Sequence, residues 1–569
     1  MTLARRPAFL IALLLALDAG LLVWEAWRLG FTYDEPSHMA AGYMYWTGND
    51  VLYPSDTPPL TRMLTGWASR LVAKPPGRRF ENAYGMGSAM LEGDRAYIQR
   101  VIFRSRLPFV MFPLGLVFVV WHWGRRLFRE GTALALAACA AFEPTILGHG
   151  ALIKSDVPAA FACALFAYAL WIYWQRPGGR RLWLLVGALL AAVLTKFSLL
   201  ALAPVALLIL LWRGPRLVGP ALALGVLYAG IAAAYQFRFS AELLGPPEDP
   251  STANAHGLQI PVEAVLTRLP FPPQFSRGIR FVGRHDSFGG FGGYMLGRRL
   301  DQPSPWYFPL AWALKFPIAL QLAAIAGLFA CLRRRPRPEA AIIWGIALWL
   351  ALLACRSCIQ IGFRHMLPAL PLLILGSGFA LERWKPRAAA WLLAACVAGE
   401  SLWIYPNGIS YFNEWIGGPK NGWKYLADSN IDWGQNLPDL MDYIRRNKLQ
   451  HVRLSTAGPD PVFRYANPQT LVEEPFPVGG SWTGPARLNP LPGVYAVCVN
   501  VLVGLLAAPK DRDYFAALRD REPDARAGYS IFIYAIPSTH GAGRSNVPTV
   551  PRDASRAAPW VNLVLEEVN

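Results

Sequence analysis

The sequence predicts an α-helical polytopic membrane protein with outer-face juxtamembrane helices and a small C-terminal α/β unit. Three observations carry that reading. Of the 569 residues, 54% are hydrophobic and only 16% charged, and apolar runs of about 20 residues, enough to cross a bilayer as a helix, recur through the first two-thirds. Arginines gather in every second short loop, the pattern of cytoplasmic loops. Beyond Tyr405 the long apolar runs stop and short strand-like segments begin.

The first apolar run, residues 8–29, follows Arg5 and Arg6, which hold the N-terminus in the cytoplasm. It lacks a small-residue cleavage site and reads as a retained anchor. Length and loop charge together predict roughly eleven spans, centred near Leu17, Leu116, Ala138, Ala164, Leu189, Leu207, Ala223, Ala319, Leu348, Pro371 and Ala394. An odd number puts the C-terminus outside a cytoplasmic (inner) membrane. The chain then divides into a transmembrane part, 1–404, an extracytoplasmic α/β domain, 405–537, and a tail, 538–569, whose Ser, Gly, Pro and Arg content predicts disorder. Two long outer loops belong to the transmembrane part, 31–106 and 237–307. Within the first, 35–45 reads as a short helix with Pro36 in its first turn. Residues 60–72 read as a second, with Leu60, Met63, Leu64, Trp67 and Leu71 on one face, both suited to lying on the membrane surface. In the C-terminal unit, 437–446 reads as a helix and 451–455, 493–501 and 529–536 as strands.

The net charge of +18 raises nucleic acid as a partner, and its placement argues against it. Arg125, Arg126 and Arg129 share one loop, Arg176, Arg180 and Arg181 another. Arg213 with Arg216, Arg333 to Arg337, and Arg383 with Lys385 and Arg387 fill three more. This charge sets topology and meets anionic lipid headgroups. Most of the seven cysteines lie in apolar runs and read as small buried hydrophobes. Cys355 and Cys358 form a CxxC without a second pair, which is neither a zinc site nor a disulfide framework.

Chemistry-bearing residues collect on the outer face. Tyr33-Asp34-Glu35 follows the first span, then Pro58-Pro59-Leu60. The short second outer loop holds His149 and Ser155-Asp156-Val157-Pro158, and Lys196 sits at an outer turn. Arg284-His285-Asp286 and Trp306 to Pro317, with Lys315, come from the large loop and its exit. Gly362-Phe363-Arg364-His365 precedes the tenth span, and Asp428 to Gln435 follows the last. Charges at a membrane edge are costly and tend to be functional. Both signs on one face suit a site that handles a phosphate and a hydroxyl. Each residue also has a plainer reading. Asp34 and Asp156 precede helices and suit N-caps, Glu35 favours a helix dipole, and Lys196 suits a snorkelling lysine. Arg364 suits an interface marker, and many of the 22 tryptophans suit interfacial belts.

Taken in order against the spans, Tyr33-Asp34-Glu35, Pro58-Pro59-Leu60, Ser155-Asp156-Val157-Pro158 and Leu194-Thr195-Lys196 resemble the GT-C glycosyltransferases. Within them the chain is similar to glycosyltransferase family 39, the group of protein O-mannosyltransferases and aminoarabinose transferases with their RgtA/B/C/D-like relatives. Segments 307–317, 362–368 and 411–435 look like the phospholipid carrier-dependent bacterial members. The resemblance covers most of 8–440. It departs at Thr57, where many relatives carry His. It implies a GT-C fold and an inverting transfer of a sugar from a polyprenyl-phosphate donor to a lipid or protein hydroxyl acceptor outside the membrane.

The resemblance and the chemistry together suggest roles. A phosphate leaving group needs charge stabilisation, and the acceptor hydroxyl needs a general base. Asp34 is expected to be that base, with Glu35 supporting it or orienting the loop. Asp156 is expected to hold acceptor, sugar or a divalent metal. Lys315 and Arg364 are expected to hold the donor phosphate, an arginine's planar fork suiting two oxygens, with Arg284 or His365 assisting. Asp432, Trp433 and Gln435 are expected on the acceptor or sugar side. The competing class is a transporter or flippase of a lipid-linked intermediate. Against it, the ionisable residues collect at one face rather than at midplane.

Overall fold

The structure is a computed structural model. It describes residues 6–47, 57–74, 80, 83–213, 218–239, 271–288, 293–333, 337–382, 388–456, 470–477 and 483–537. The expected tail, 538–569, lies outside the described residues, as do 240–270 of the second large loop.

Every expected span centre falls on a helix. Five helices are long and apolar enough to cross a bilayer: Pro7–Arg28, Arg95–Leu127, Asp156–Gln175, Pro338–Arg356 and Phe363–Leu381. Two bent pairs raise this to as many as seven, and Phe197–Arg213, Gly219–Ala234 and Ala388–Ile404 are shorter apolar helices. The first long loop is shorter than expected, because Arg95–Arg106 is already helical and runs on through Leu107–Val110 into Met111–Leu127.

The bends have local causes. Tyr307–Lys315 and Ile318–Leu332 meet at 117°, at Phe316-Pro317. A break in a buried helix frees carbonyls that need donors. Asn413 Nδ2 donates to the carbonyls of Ala313 (2.7 Å) and Phe316 (2.9 Å), and Gln321 Nε2 reaches the same two. The 56° break between Glu130–Phe142 and Pro144–Gly150 is capped by Glu143, whose carboxylate accepts from the Ile146 amide at 2.7 Å.

Both helices expected in the first outer loop are present, as Glu35–Thr47 and Pro59–Arg70. They cross at Gly42 and Gly66, where a Cβ on Gly66 would lie 1.9 Å from the Gly42 carbonyl oxygen. Only glycine allows that approach. On the outward side, Trp67 and Leu71 are exposed.

The C-terminal unit is a five-stranded sheet reached through the amphipathic helix Leu437–Arg446. A two-residue hairpin, β1 (Tyr294–Met295) and β2 (Arg298–Arg299), precedes it in the chain. The sheet strands are β3 (Val452–Ser455), β4 (Leu471–Glu473), β5 (Gly493–Cys498), β6 (Ala525–Ala527) and β7 (Ile531–Ile536), in the order β4-β3-β5-β7-β6. The β3 strand pairs in parallel with β4 and β5, and β7 runs antiparallel to β5 and β6. The expected strand 493–501 stops at Cys498, and a helical turn, Val499–Leu502, follows. Arg28, at the end of the first span, bridges to Asp439 and Asp442 on Leu437–Arg446, tying the sheet unit to the helices.

One ion pair fastens the parts that meet near the acidic motif. Glu35 and Arg106 are fully buried and linked by two hydrogen bonds, Nε to Oε1 at 2.8 Å and Nη2 to Oε2 at 2.6 Å. The remaining guanidinium hydrogens go to the carbonyls of Ala26 (3.0 Å), Leu29 (2.8 Å) and Gly30 (2.7 Å). All five donors of the arginine are used, and carbonyls left open where the first span ends gain partners. Glu35 also accepts from the amides of Thr32 (2.7 Å) and Ile153 (3.0 Å). Burial pushes its carboxyl up, but Arg106 and these amides outweigh it and hold it below the usual carboxylate range. Removing one partner strands the other charge, which costs about 3–5 kcal/mol. Glu35→Ala is therefore expected to lower the melting temperature of the purified protein sharply. A variant as stable as the parent would show that this junction is not a structural anchor.

Candidate active site

The acidic motif divides its labour. Glu35 turns inward to Arg106, while Asp34 turns to the segment between two helices. Pro144–Gly150 ends at Gly150, and the turn through 151–155 leads into Asp156–Gln175. That short stretch delivers four groups: the His149 ring, the Ile153 amide on Glu35, the Lys154 ammonium and the Asp156 carboxylate. Lys154 Nζ donates to Asp34 Oδ2 at 2.6 Å and lies 2.9 Å from His38 Nε2. The pair is partly accessible, with side-chain exposures of 12% and 17%.

Asp156 is deeper, at 1% exposure, and holds two cations. Lys196 Nζ meets one oxygen at 2.5 Å and Arg364 Nη1 the other at 3.1 Å. Ser155, not Asp156, is the N-cap residue of the following helix, so the aspartate is free of capping duty. Arg364 is fixed on three sides. Its Nε donates to Ser429 Oγ at 2.8 Å, and its guanidinium lies over the Trp433 ring, 4.2 Å from the centroid. Lys154 lies 5.5 Å from the same centroid. Asp34, Asp156, Lys154, Lys196 and Arg364 thus form one cluster with a formal excess of one positive charge. Burial raises the Asp34 carboxyl, yet Lys154 and Arg364 outweigh that and hold it below its ordinary range. It is a carboxylate at neutral pH.

The Asp428–Gln435 stretch packs against this cluster because two backbones zip together. Gly30 and Tyr33 amides donate to the carbonyls of Gln435 and Trp433, each at 2.9 Å. Gly434 permits it, with φ +95° and its missing Cβ only 3.3 Å from the Phe31 carbonyl. Within the stretch the expected acceptor-side residues separate. Trp433 reaches the cluster, and one face of its ring carries Arg364. Gln435 holds the loop, donating to the Ile431 carbonyl (2.9 Å) and accepting from the Trp433 amide (2.7 Å). Asp432 faces the sheet unit, where its carbonyl and Oδ2 take the Asn500 side chain (2.8 Å) and amide (3.4 Å). Burial pushes both Asp428 and Asp432 up to about 6.

Lys315 does not join the cluster. The Lys315 ammonium donates to the carbonyls of Ile409 (2.9 Å) and Asn430, over the Phe412 ring. It pins the Asp428–Gln435 stretch to the bent pair. Arg284 lies in the helix Pro273–Phe288, and its side chain is outside the described residues. His365 lies beside the cluster, within electrostatic reach of Asp156, and its buried Nε2 has no hydrogen-bond partner. Three charged partners went unassigned or misread in the sequence. Lys154 sits two residues before Asp156, Arg106 stood only as a loop border, and Lys196 read as a snorkelling lysine. Among the described residues, no three His, Cys, Asp or Glu converge as metal ligands. The oxygens of Asp34 and Asp156 nearest the cluster carry ammonium and guanidinium groups, so this donor set does not fit a divalent ion.

Residues 96–235, about a quarter of the chain, match the family model described as dolichyl-phosphate-mannose-protein mannosyltransferase. The match spans Arg106, His149, Lys154, Asp156 and Lys196, and it bears out the resemblance read from the motifs. Among solved structures, ArnT from Cupriavidus metallidurans bound to undecaprenyl phosphate aligns over 92% of this chain and 97% of its own, at 13% identity and a TM-score of 0.46. The apo form of ArnT from the same organism covers the same shares at 14% identity and a TM-score of 0.33. No curated protein matches the chain.

The cluster makes a stability prediction with a definite sign. A carboxyl held below its unfolded value contributes stability above that value, near pH 4, and loses it as pH falls through the folded one. Lys154→Met removes the partner. The variant's melting temperature is expected to trail the parent's at neutral pH, and the gap to close on acidification below about pH 4. A gap that stays constant from pH 7 to pH 3 would contradict the pairing of Lys154 with an ionised Asp34.

Proposed function

We propose that the chain is an inverting glycosyltransferase. It moves a sugar from a polyprenyl-phosphate carrier to a lipid or protein hydroxyl on the outer face of the cytoplasmic membrane. Its N-terminus lies in the cytoplasm and its α/β unit outside. The observation that carries this reading is the cluster itself: two carboxylates set among three cations where apolar helices begin and end. The match to the mannosyltransferase family supports it.

The charges suit the reaction. A polyprenyl-phosphate sugar is a phosphodiester with one negative charge. As the acceptor oxygen attacks the anomeric carbon from the face opposite the phosphate, the bond from that carbon to the phosphate oxygen breaks. Its electron pair stays on the phosphate, which departs as a monoester with a second charge. Lys154, Lys196 and Arg364 are placed to stabilise that growing charge, which is worth most in a site sheltered from water. Asp34 takes the acceptor's proton as general base. The arriving phosphate also competes for Lys154, which loosens that lysine's hold on Asp34 and raises the carboxylate's basicity. Asp156 orients Lys196 and Arg364. Lys315, assigned to the phosphate from the sequence, becomes a positioning residue that acts through the Ile409 and Asn430 carbonyls.

The test uses purified full-length protein with polyprenyl-phosphate sugars and a membrane extract as acceptor source. Release of free polyprenyl phosphate is expected, and Asp34→Asn should reduce it by at least about 100-fold in a variant that is still folded at the assay temperature. Near-parental turnover in Asp34→Asn refutes the base assignment. Movement of intact donor across vesicles without cleavage refutes the transferase.

A further inference from the structure

His149 is a buried group that the proposed mechanism leaves unused. Its side chain is 3% exposed. Nδ1 lies 2.9 Å from the Thr145 carbonyl, one turn back on Pro144–Gly150. A carbonyl has no proton to give, so Nδ1 carries the hydrogen of that bond. In the neutral ring the lone pair is then on Nε2. Nε2 is buried and has no hydrogen-bond partner among the described residues, an expensive state for a polar atom unless a water or a ligand supplies the missing donor. The ring sits 5.9 Å from the Trp433 ring, centroid to centroid, and Trp433 in turn carries Arg364 and Lys154. Asp156, Lys315 and Arg364 are the charged groups that act on it. The His149 ring therefore stands beside the cationic cluster, while the cations themselves are bound to carboxylates and carbonyls.

We propose that His149 Nε2 accepts a hydrogen bond from one hydroxyl of the donor's sugar, and so helps determine which sugar the site takes. The cluster's cations match the phosphate, and none of them can accept a proton. A sugar attached to that phosphate brings hydroxyl donors next to Trp433, where a lone pair is waiting. A site that buries an acceptor for a hydroxyl discriminates strongly against a sugar lacking it, because the acceptor is then sealed away unpaired. This inference rests on the glycosyltransferase reading above.

The experiment separates the two. Full-length protein in nanodiscs, with a membrane extract as acceptor source, is given undecaprenyl-phosphate mannose, glucose, galactose, N-acetylglucosamine and arabinose, and release of undecaprenyl phosphate is followed. A wild type that releases none from any donor overturns the transferase reading itself. With the sugar that works, single deoxy forms are compared in wild type, His149→Asn and His149→Gln. Asn keeps a donor near the Nδ1 position for the Thr145 carbonyl and lacks the Nε2 acceptor, whereas the longer Gln can return an oxygen towards it. One deoxy position is expected to cost wild type at least about 100-fold in kcat/KM. His149→Asn should lose as much with the intact sugar and show no further loss with that deoxy form, and His149→Gln should recover part of the activity. An active wild type that tolerates every deoxy sugar overturns the inference, with no variant needed. So does a His149→Asn enzyme that keeps full kcat/KM, or one that keeps the whole deoxy penalty.

Discussion

The buried pair of Glu35 and Arg106 is the constraint on which the rest of the structure depends. It joins the end of the first span, the start of the long loop that follows it, the helix that runs into the second span and the turn that carries Lys154. Two buried charges are a poor source of stability in general, since desolvation consumes most of their attraction. Here the arginine spends all five donors and the glutamate accepts two amides besides, so nothing is left unsatisfied. What the pair supplies is position. Asp34, the next residue back, cannot drift from Lys154 while Glu35 is held.

The same logic explains how a strongly charged cluster survives beside apolar helices. Each carboxylate has a cation, and two of the three cations have a second partner: His38 for Lys154, Ser429 and the face of Trp433 for Arg364. The arrangement keeps one more positive charge than negative, which is an invitation to an anion. The bent helices serve this end. Their breaks are sealed by Asn413, Gln321 and Glu143, and Lys315 ties the second of them to the loop that presents Trp433. Polar side chains usually read as chemistry at a membrane edge, yet several here are structural, because interrupted helices need donors and acceptors of their own.

Much of this was legible in the sequence. Helix positions followed from apolar run length, and the juxtamembrane helices and main strands from periodicity. The bends were not legible, since a proline marks a possible break and not its angle. β4 and β6 are three residues each, too short for an alternation to register. Of the candidate site, Asp34, Asp156, Arg364 and Trp433 come together as a set. Lys154 was hidden in plain view, two residues from a singled-out aspartate, because one lysine carries no pattern. Arg106 was missed because its partner lies 71 positions earlier, a distance at which no local spacing speaks. Lys315 misled because a buried lysine suggests an anion, and carbonyl oxygens satisfied it instead.

Binding of a lipid carrier's phosphate by the cluster around Asp156 is tested by comparing the affinity of the purified protein for undecaprenyl phosphate with its affinity for undecaprenol, which has the same chain and no charge. The phosphate is expected to bind at least about tenfold more tightly, and Arg364→Met to remove most of that preference. Equal binding of the two lipids, or a preference that Arg364→Met leaves intact, would contradict it.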